Sequence, residues 1–161
     1  MGENLEERVG DLLVRQGLTL AVAESCTGGL VGHRLTNVPG SSRYFMGGVI
    51  AYDNAAKERV LGVRPATLYG HGAVSAETAR EMALGARRLF GTDVAVSITG
   101  IAGPGGSTPG KPVGLTYIHL SARDADWGEC HVWQGNRETN KAQSAQAALD
   151  LLRRYLERAL T

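Results

Sequence analysis

The chain has 161 residues, a length that suits one compact domain able to bury a core without disulfide or metal staples. With 43% hydrophobic and 20% charged residues it has an ordinary globular composition, and a net charge of +1 argues against a broad basic surface for nucleic acid or a basic membrane anchor. Aromatic residues make up only 6%, too few for a platform that stacks single strands, while the 22 glycines cluster in loops and point to a ligand site built from backbone.

Residues 3–16 put Leu5, Val9, Leu12 and Leu13 on one helical face, and Gly17 ends that helix. "LTLAVA" (18–23) is a short apolar run and reads as a buried strand. A second helix is expected from about Thr27 to Leu35. "YFMGGVIAY" (44–52) is a strand whose glycines permit close backbone approach. "NAAKERVLG" (54–62) is a short helix capped by Asn54 and stopped by Gly62. The clearest helix is 75–90, with Glu77 early and Arg87 and Arg88 late, as the helix dipole favours. Residues 93–99 form a strand. Residues 100–114 hold six glycines and three prolines and form a loop. "VGLTYIHLSA" and "GECHVWQ" pair as a hairpin around "RDAD", and a last helix spans roughly 138–159. Helices flank strands at both ends and the last strands are adjacent, so the expected fold is a three-layer α/β/α domain with a mixed sheet. Cys26 and Cys130 have neither CxxC spacing nor paired histidines. With no signal peptide and no apolar run near the ~18 residues that span a bilayer, the expected location is the cytoplasm.

Chemistry concentrates in three stretches. In "AESCTGG", Ser25 lies between a strand and a helix start, where exposed backbone N–H groups can form an oxyanion hole. Thr27 follows, and Gly28 and Gly29 let a substrate approach the backbone. Ser25 or Thr27 could equally be an N-cap, and Cys26 a small buried hydrophobe. A serine nucleophile needs a base. His33, His71, His119 and His131 sit poorly for a triad, although His71 in a glycine-bounded turn is an outsider. Lysine is another route, because desolvation lowers its pKa and the neutral amine can take a hydroxyl proton. Lys57 follows the strand, with Tyr52 and Asn54 just before it; for an arbitrary lysine, a solvated helix position is the usual role. "SITGIAGPGGSTPGKPVG" can cradle an anion but is neither a Walker motif nor a dinucleotide fingerprint. Arg137 in "GNRE" opens a helix and can pair with carboxylate or phosphate.

Taken in order and spacing, "AESCTGG", "VPGSSRYFMGGVIAYDNAAKERVLGV", "HGAVSAETAREMALGA" and "SITGIAGPGGSTPGKPVGLTYI" resemble the CinA C-terminal domain family over about residues 5 to 158. Stand-alone members of that family include nicotinamide-nucleotide amidases. The resemblance implies hydrolysis of nicotinamide mononucleotide to nicotinic acid mononucleotide and ammonia, with no metal or other cofactor. It implies Ser25 as nucleophile, Lys57 as general base and Tyr52 as a hydroxyl beside the dyad. It further implies Thr99 and Gly100 in the pocket wall, the loop of Gly103, Gly105 and Gly106 over the substrate, and Arg137 on its phosphate. The substrate site is completed by Thr27, Gly28, Gly29 and Asn54. A homodimer or larger homo-oligomer is implied, with no direct nucleic-acid or membrane contact.

Two departures stand out. Asn136 replaces the aspartate of the family's "GDR", and "ETNKAQ" lacks a second arginine expected near Asn140, so one negative and one positive charge are expected to be missing at the phosphate end. The alternatives to the amidase are a catalytically silent pyridine-nucleotide-binding regulator and an interaction module for competence or DNA-repair proteins.

Overall fold

The computed structural model describes residues 2–160. Helix α1 (Leu5–Gln16) starts with a reciprocal cap: the Asn4 side chain accepts from the Glu7 N–H at 2.8 Å, and the Glu7 carboxylate accepts from the Asn4 N–H. Gly17, at φ 66°, closes it. Then come β1 (Leu20–Glu24), α2 (Leu30–Thr36), β2 (Phe45–Ile50), α3 (Asn54–Arg59), α4 (Pro65–His71) and α5 (Ala76–Phe90). The chain finishes with β3 (Val94–Gly100), β4 (Leu115–Ala122), β5 (Ala125–Val132) and α6 (Arg137–Glu157).

The sheet order is β2-β1-β3-β4-β5. β1 runs parallel to both of its neighbours, whereas β3, β4 and β5 form an antiparallel run. The sheet is therefore mixed. One face is covered by α1, α2 and α6 over Leu12, Leu13, Val22, Ile98, Leu120 and Leu149. On the other, α5 brings Met82 and Ala86 onto Ala21 and Ala95, joined by Leu61 and Val63 from the segment after α3. This is the expected three-layer α/β/α architecture. Every residue of β1, including Glu24, is buried, because the strand is central and covered on both faces.

The glycines of β2 act as expected. A Cβ on Gly48 would lie 2.5 Å from Val22 Cγ2, and one on Gly47 would lie 2.6 Å from Phe90 Cε1. Several boundaries differ from the expectation. α2 starts at Leu30, because Ser25–Gly29 are used in a turn. α3 is capped by Asp53, whose carboxylate accepts from the Ala55 N–H, so Asn54 is the first helical residue and not the cap. That helix ends at Arg59. The hairpin turn is only Arg123–Asp124, so β5 begins at Ala125. α4 was not expected: Pro65 opens it, and the Thr67 hydroxyl ties it to Glu81 of α5 at 2.6 Å. Among the described residues, no helix is long and apolar enough to cross a membrane.

Candidate active site

Ser25 leaves the carboxyl end of β1 and is 8% exposed. Its N–H donates to Ile98 of β3 at 3.0 Å, and its carbonyl accepts from the Gly28 N–H at 3.1 Å. The chain then passes through two left-handed residues, Gly28 at φ 60° and Gly29 at φ 105°, before α2 begins. This tight strand–turn–helix elbow holds the hydroxyl at the carboxyl end of a central strand, where α/β sheets bind ligands.

Lys57 reaches the same point from α3. Its side chain is 1% exposed, and Nζ lies 3.0 Å from Ser25 Oγ. The amine also donates to the carbonyls of Ala51 at 2.8 Å and Tyr52 at 3.3 Å. No carboxylate forms an ion pair with it among the described residues. Burial therefore drives its pKa below the usual lysine value, opposed by the negative charge of Asp53. A neutral amine has two protons and one lone pair. In that form the two carbonyls can take the protons and the lone pair can face the Ser25 hydroxyl.

Cys26, beside the nucleophile candidate, is buried, and its thiol is pushed up to about 11, mainly by desolvation. It is a poor source of thiolate. Three of the four histidines are engaged elsewhere. His119 is buried against Asp126, which also binds Arg80; His131 stacks on Trp133; His71 faces Glu77. None of these rings contacts Ser25.

The oxyanion donors need a correction. The N–H groups at the start of α2 are not free: the Glu24 carboxylate accepts from Gly29 at 3.2 Å and from Val31 and Gly32 at 3.0 Å each. It also accepts the Thr27 hydroxyl at 2.5 Å, so Thr27 is held by Glu24 and offers no free hydroxyl to a substrate. What the elbow leaves open are the N–H groups of Cys26 and Thr27, which donate to no other residue among those described.

Tyr52 meets the dyad lysine through its backbone. Its backbone carbonyl accepts from Lys57, while the residue is 61% exposed and its hydroxyl accepts from Arg137 Nη2 at 3.0 Å. Arg137 Nη1 donates to the Gly103 carbonyl at 2.7 Å. One guanidinium thus bridges the segment before α3 and the glycine-rich loop. Thr99 is buried and donates to the Ala73 carbonyl, and a Cβ on Gly100 would lie 2.7 Å from Thr116 Oγ1, so both serve as close-packed wall. Gly105 and Gly106 are exposed in the loop, and Asn54 is exposed at the start of α3.

The departures at the end of the chain have structural roles. Asn136 caps α6 by accepting from the Thr139 N–H at 2.9 Å. Asn140 is buried, donates to the Ala102 carbonyl at 3.0 Å and accepts from the Gly135 N–H at 2.9 Å, clamping the loop to the helix. One residue further on, the Lys141 Nζ lies 3.8 Å from where a Gly28 Cβ would stand. Arg137, Lys141, Leu30, Glu138 and Ala142 line a hollow of about 450 Å³ beside the elbow. Lys141 was legible as the residue one helical turn after Arg137. Glu24 was legible only as an acid close before a helix start.

The family model of the CinA C-terminal domain matches residues 2–156. A CinA-like protein of Desulfotalea psychrophila is 51% identical over 154 residues, covering 96% of this chain and 37% of that relative. The chain thus spans little more than a third of the length of such relatives. Among solved structures, the competence damage-inducible protein A of Klebsiella pneumoniae superposes with a TM-score of 0.92 at 34% identity, covering 94% of each chain. The competence/damage inducible protein of Agrobacterium tumefaciens gives 0.85 at 37% identity, covering 94% of this chain and 95% of that one.

Proposed function

The chain belongs to the CinA C-terminal domain family, and on that footing we propose that it hydrolyses the carboxamide of nicotinamide mononucleotide to the acid and ammonia. The observation that carries this reading is the buried 3.0 Å contact between Lys57 Nζ and Ser25 Oγ, made without a carboxylate partner for the lysine. Only a base that is neutral near working pH can take a serine proton, and burial moves Lys57 in that direction.

In the first half-reaction Ser25 Oγ attacks the carboxamide carbon while Lys57 takes the hydroxyl proton. The tetrahedral oxyanion is received by the N–H groups of Cys26 and Thr27, each such donor lowering the barrier by about 3 kcal/mol. The C–N bond then breaks, Lys57 returns the proton to the leaving nitrogen, and ammonia departs from an acyl-serine. In the second half, water gives a proton to Lys57 and attacks the ester carbon. The C–O bond to Ser25 breaks, the serine recovers its proton, and the carboxylic acid leaves.

The substrate's phosphate falls to Arg137 and Lys141, two cations on one face of α6 beside the elbow. The backbone of Gly28 and Gly29 admits the ring. Thr99 and Gly100 form the wall, and the loop from Gly103 to Gly106 covers the site. Ammonia release from nicotinamide mononucleotide by the wild type and by Ser25→Ala tests the reading. Release by the wild type alone supports it, and release by both removes Ser25 as nucleophile. Absence of release from a folded protein that still binds the nucleotide would replace catalysis with a binding role.

A further inference from the structure

The geometry points to Glu24 as the residue that positions the nucleophile elbow and sets its oxyanion donors; the inference rests on the hydrolase reading above. Glu24 is the last residue of β1 and is 1% exposed. Its two oxygens receive four hydrogen bonds: one from the Thr27 hydroxyl and three from the N–H groups of Gly29, Val31 and Gly32. No cation pairs with it among the described residues. A buried carboxylate without a cation is costly to keep, unless its donors are as complete as these.

The placement is unusual within this chain. α1, α3, α5 and α6 each take their side-chain cap from the residue at their own start: Asn4, Asp53, Ser75 and Asn136. α2 has Gly29 there, with no side-chain cap. Its cap comes instead from Glu24, across the turn that holds Ser25. That tie joins the end of the strand to the first turn of the helix, so the five residues between are fixed at both ends. It also removes three competing N–H donors from the elbow and, through Thr27, fixes the peptide between Cys26 and Thr27. The donors left are the two assigned to the oxyanion. Glu24 touches no reacting atom in this scheme and acts through the backbone it holds.

Glu24→Gln keeps the shape but turns one acceptor oxygen into a donor facing N–H groups. Thr27→Val keeps the backbone ties and removes only the hydroxyl. Expected is a fall in kcat for ammonia release of about 10- to 100-fold in Glu24→Gln and several-fold in Thr27→Val, with KM within about twofold. The pH midpoint of kcat stays in place, because Lys57 is untouched. Ser25 acylation is also read without the nucleotide, from the burst of p-nitrophenol released by p-nitrophenyl acetate, with Ser25→Ala as blank. The burst rate should slow in the same order. Folded variants with wild-type kcat and burst rate overturn the inference, whatever their loss of thermal stability. If Glu24→Gln does not fold, Thr27→Val decides by the same criteria. A wild type with a Ser25-dependent burst but no ammonia release overturns the substrate reading alone, and the burst rates of the variants still decide the role of Glu24. A wild type with neither overturns both.

Discussion

The Lys57 amine stands 3.0 Å from the Ser25 hydroxyl across 32 positions of sequence, and the two are brought together by the parallel pairing of β1 and β2. Glu24 pairs with Ile50 at the carboxyl ends of those strands, and the Ala51 N–H donates to the Glu24 carbonyl at 2.8 Å. β2 therefore delivers the chain into α3 beside the elbow, and one helical turn brings Lys57 back over Ser25. The same approach strips the lysine of water and leaves it without a carboxylate ion pair among the described residues. Sheet topology thus makes both the contact and the perturbed base.

Lys57→Met should lower ammonia release by about 10²- to 10⁴-fold, the usual loss when a general base is removed. In the wild type, the rate should rise with pH through a midpoint below the ordinary lysine value of ~10.4, because the lowered pKa marks where the amine becomes neutral. Stability carries the same signature. Between the lowered folded value and ~10.4 the unfolded chain binds more protons at this site, so the wild type gains stability as pH rises through that window. Urea unfolding should therefore show wild type minus Lys57→Met shifting in favour of wild type from neutral pH toward ~10.4. A rate midpoint at the ordinary lysine value, with substrate bound, would remove Lys57 as the base.

Cys26→Ala should retain ammonia release within about threefold, whereas Ser25→Ala should abolish it. A thiol pushed up to about 11 supplies thiolate at about one part in 10⁴ at pH 7. Iodoacetamide followed by peptide mass spectrometry should mark the exposed Cys130 well before Cys26. Loss of activity on alkylating Cys26 under native conditions would reopen the assignment.

Lys141→Ala should raise KM for nicotinamide mononucleotide by about tenfold with little change in kcat, the pattern of a lost ground-state contact. The effect should shrink as salt is added and vanish with nicotinamide riboside, which lacks the phosphate. Equal losses on both substrates would take Lys141 off the phosphate.

Legibility in the sequence followed the physics. The elbow was readable because a buried strand running into paired glycines is a local signal, and α5 was readable because its apolar stripe has helical period. Lys57 as partner of Ser25 came only from family resemblance, since no local rule links residues that a parallel sheet joins. Glu24 escaped because its partners are backbone N–H groups, which no residue letter reveals. α4 escaped because Pro65, Gly70 and Gly72 break the local helical pattern, while its anchor is the long-range Thr67–Glu81 bond. The exposure of Tyr52 had a signal in the sequence. Met46, Ile50 and Tyr52 follow the period of two that puts alternate residues of an edge strand outward, and all three are exposed.

Gly85→Ala separates helix propensity from packing. Alanine in the middle of α5 would be favoured by about 1 kcal/mol on propensity alone. At Gly85, however, the added Cβ would stand 1.8 Å from the Leu61 carbonyl oxygen, a backbone atom that no side-chain rotation can move. Either α5 leaves the sheet or the segment after α3 is displaced, and that segment is anchored by the buried Leu61 and Val63 just beyond Lys57. Expected is a loss of about 2–4 kcal/mol in urea unfolding, with a fall in ammonia release per folded molecule as Lys57 moves from Ser25. Gly70→Ala in α4 is the control. Its Cβ would meet nothing within 4 Å, so the same change there should be neutral or stabilise by up to about 1 kcal/mol. Equal behaviour of the two variants would mean that the close contact of α5 with Leu61 does not hold α3 in place.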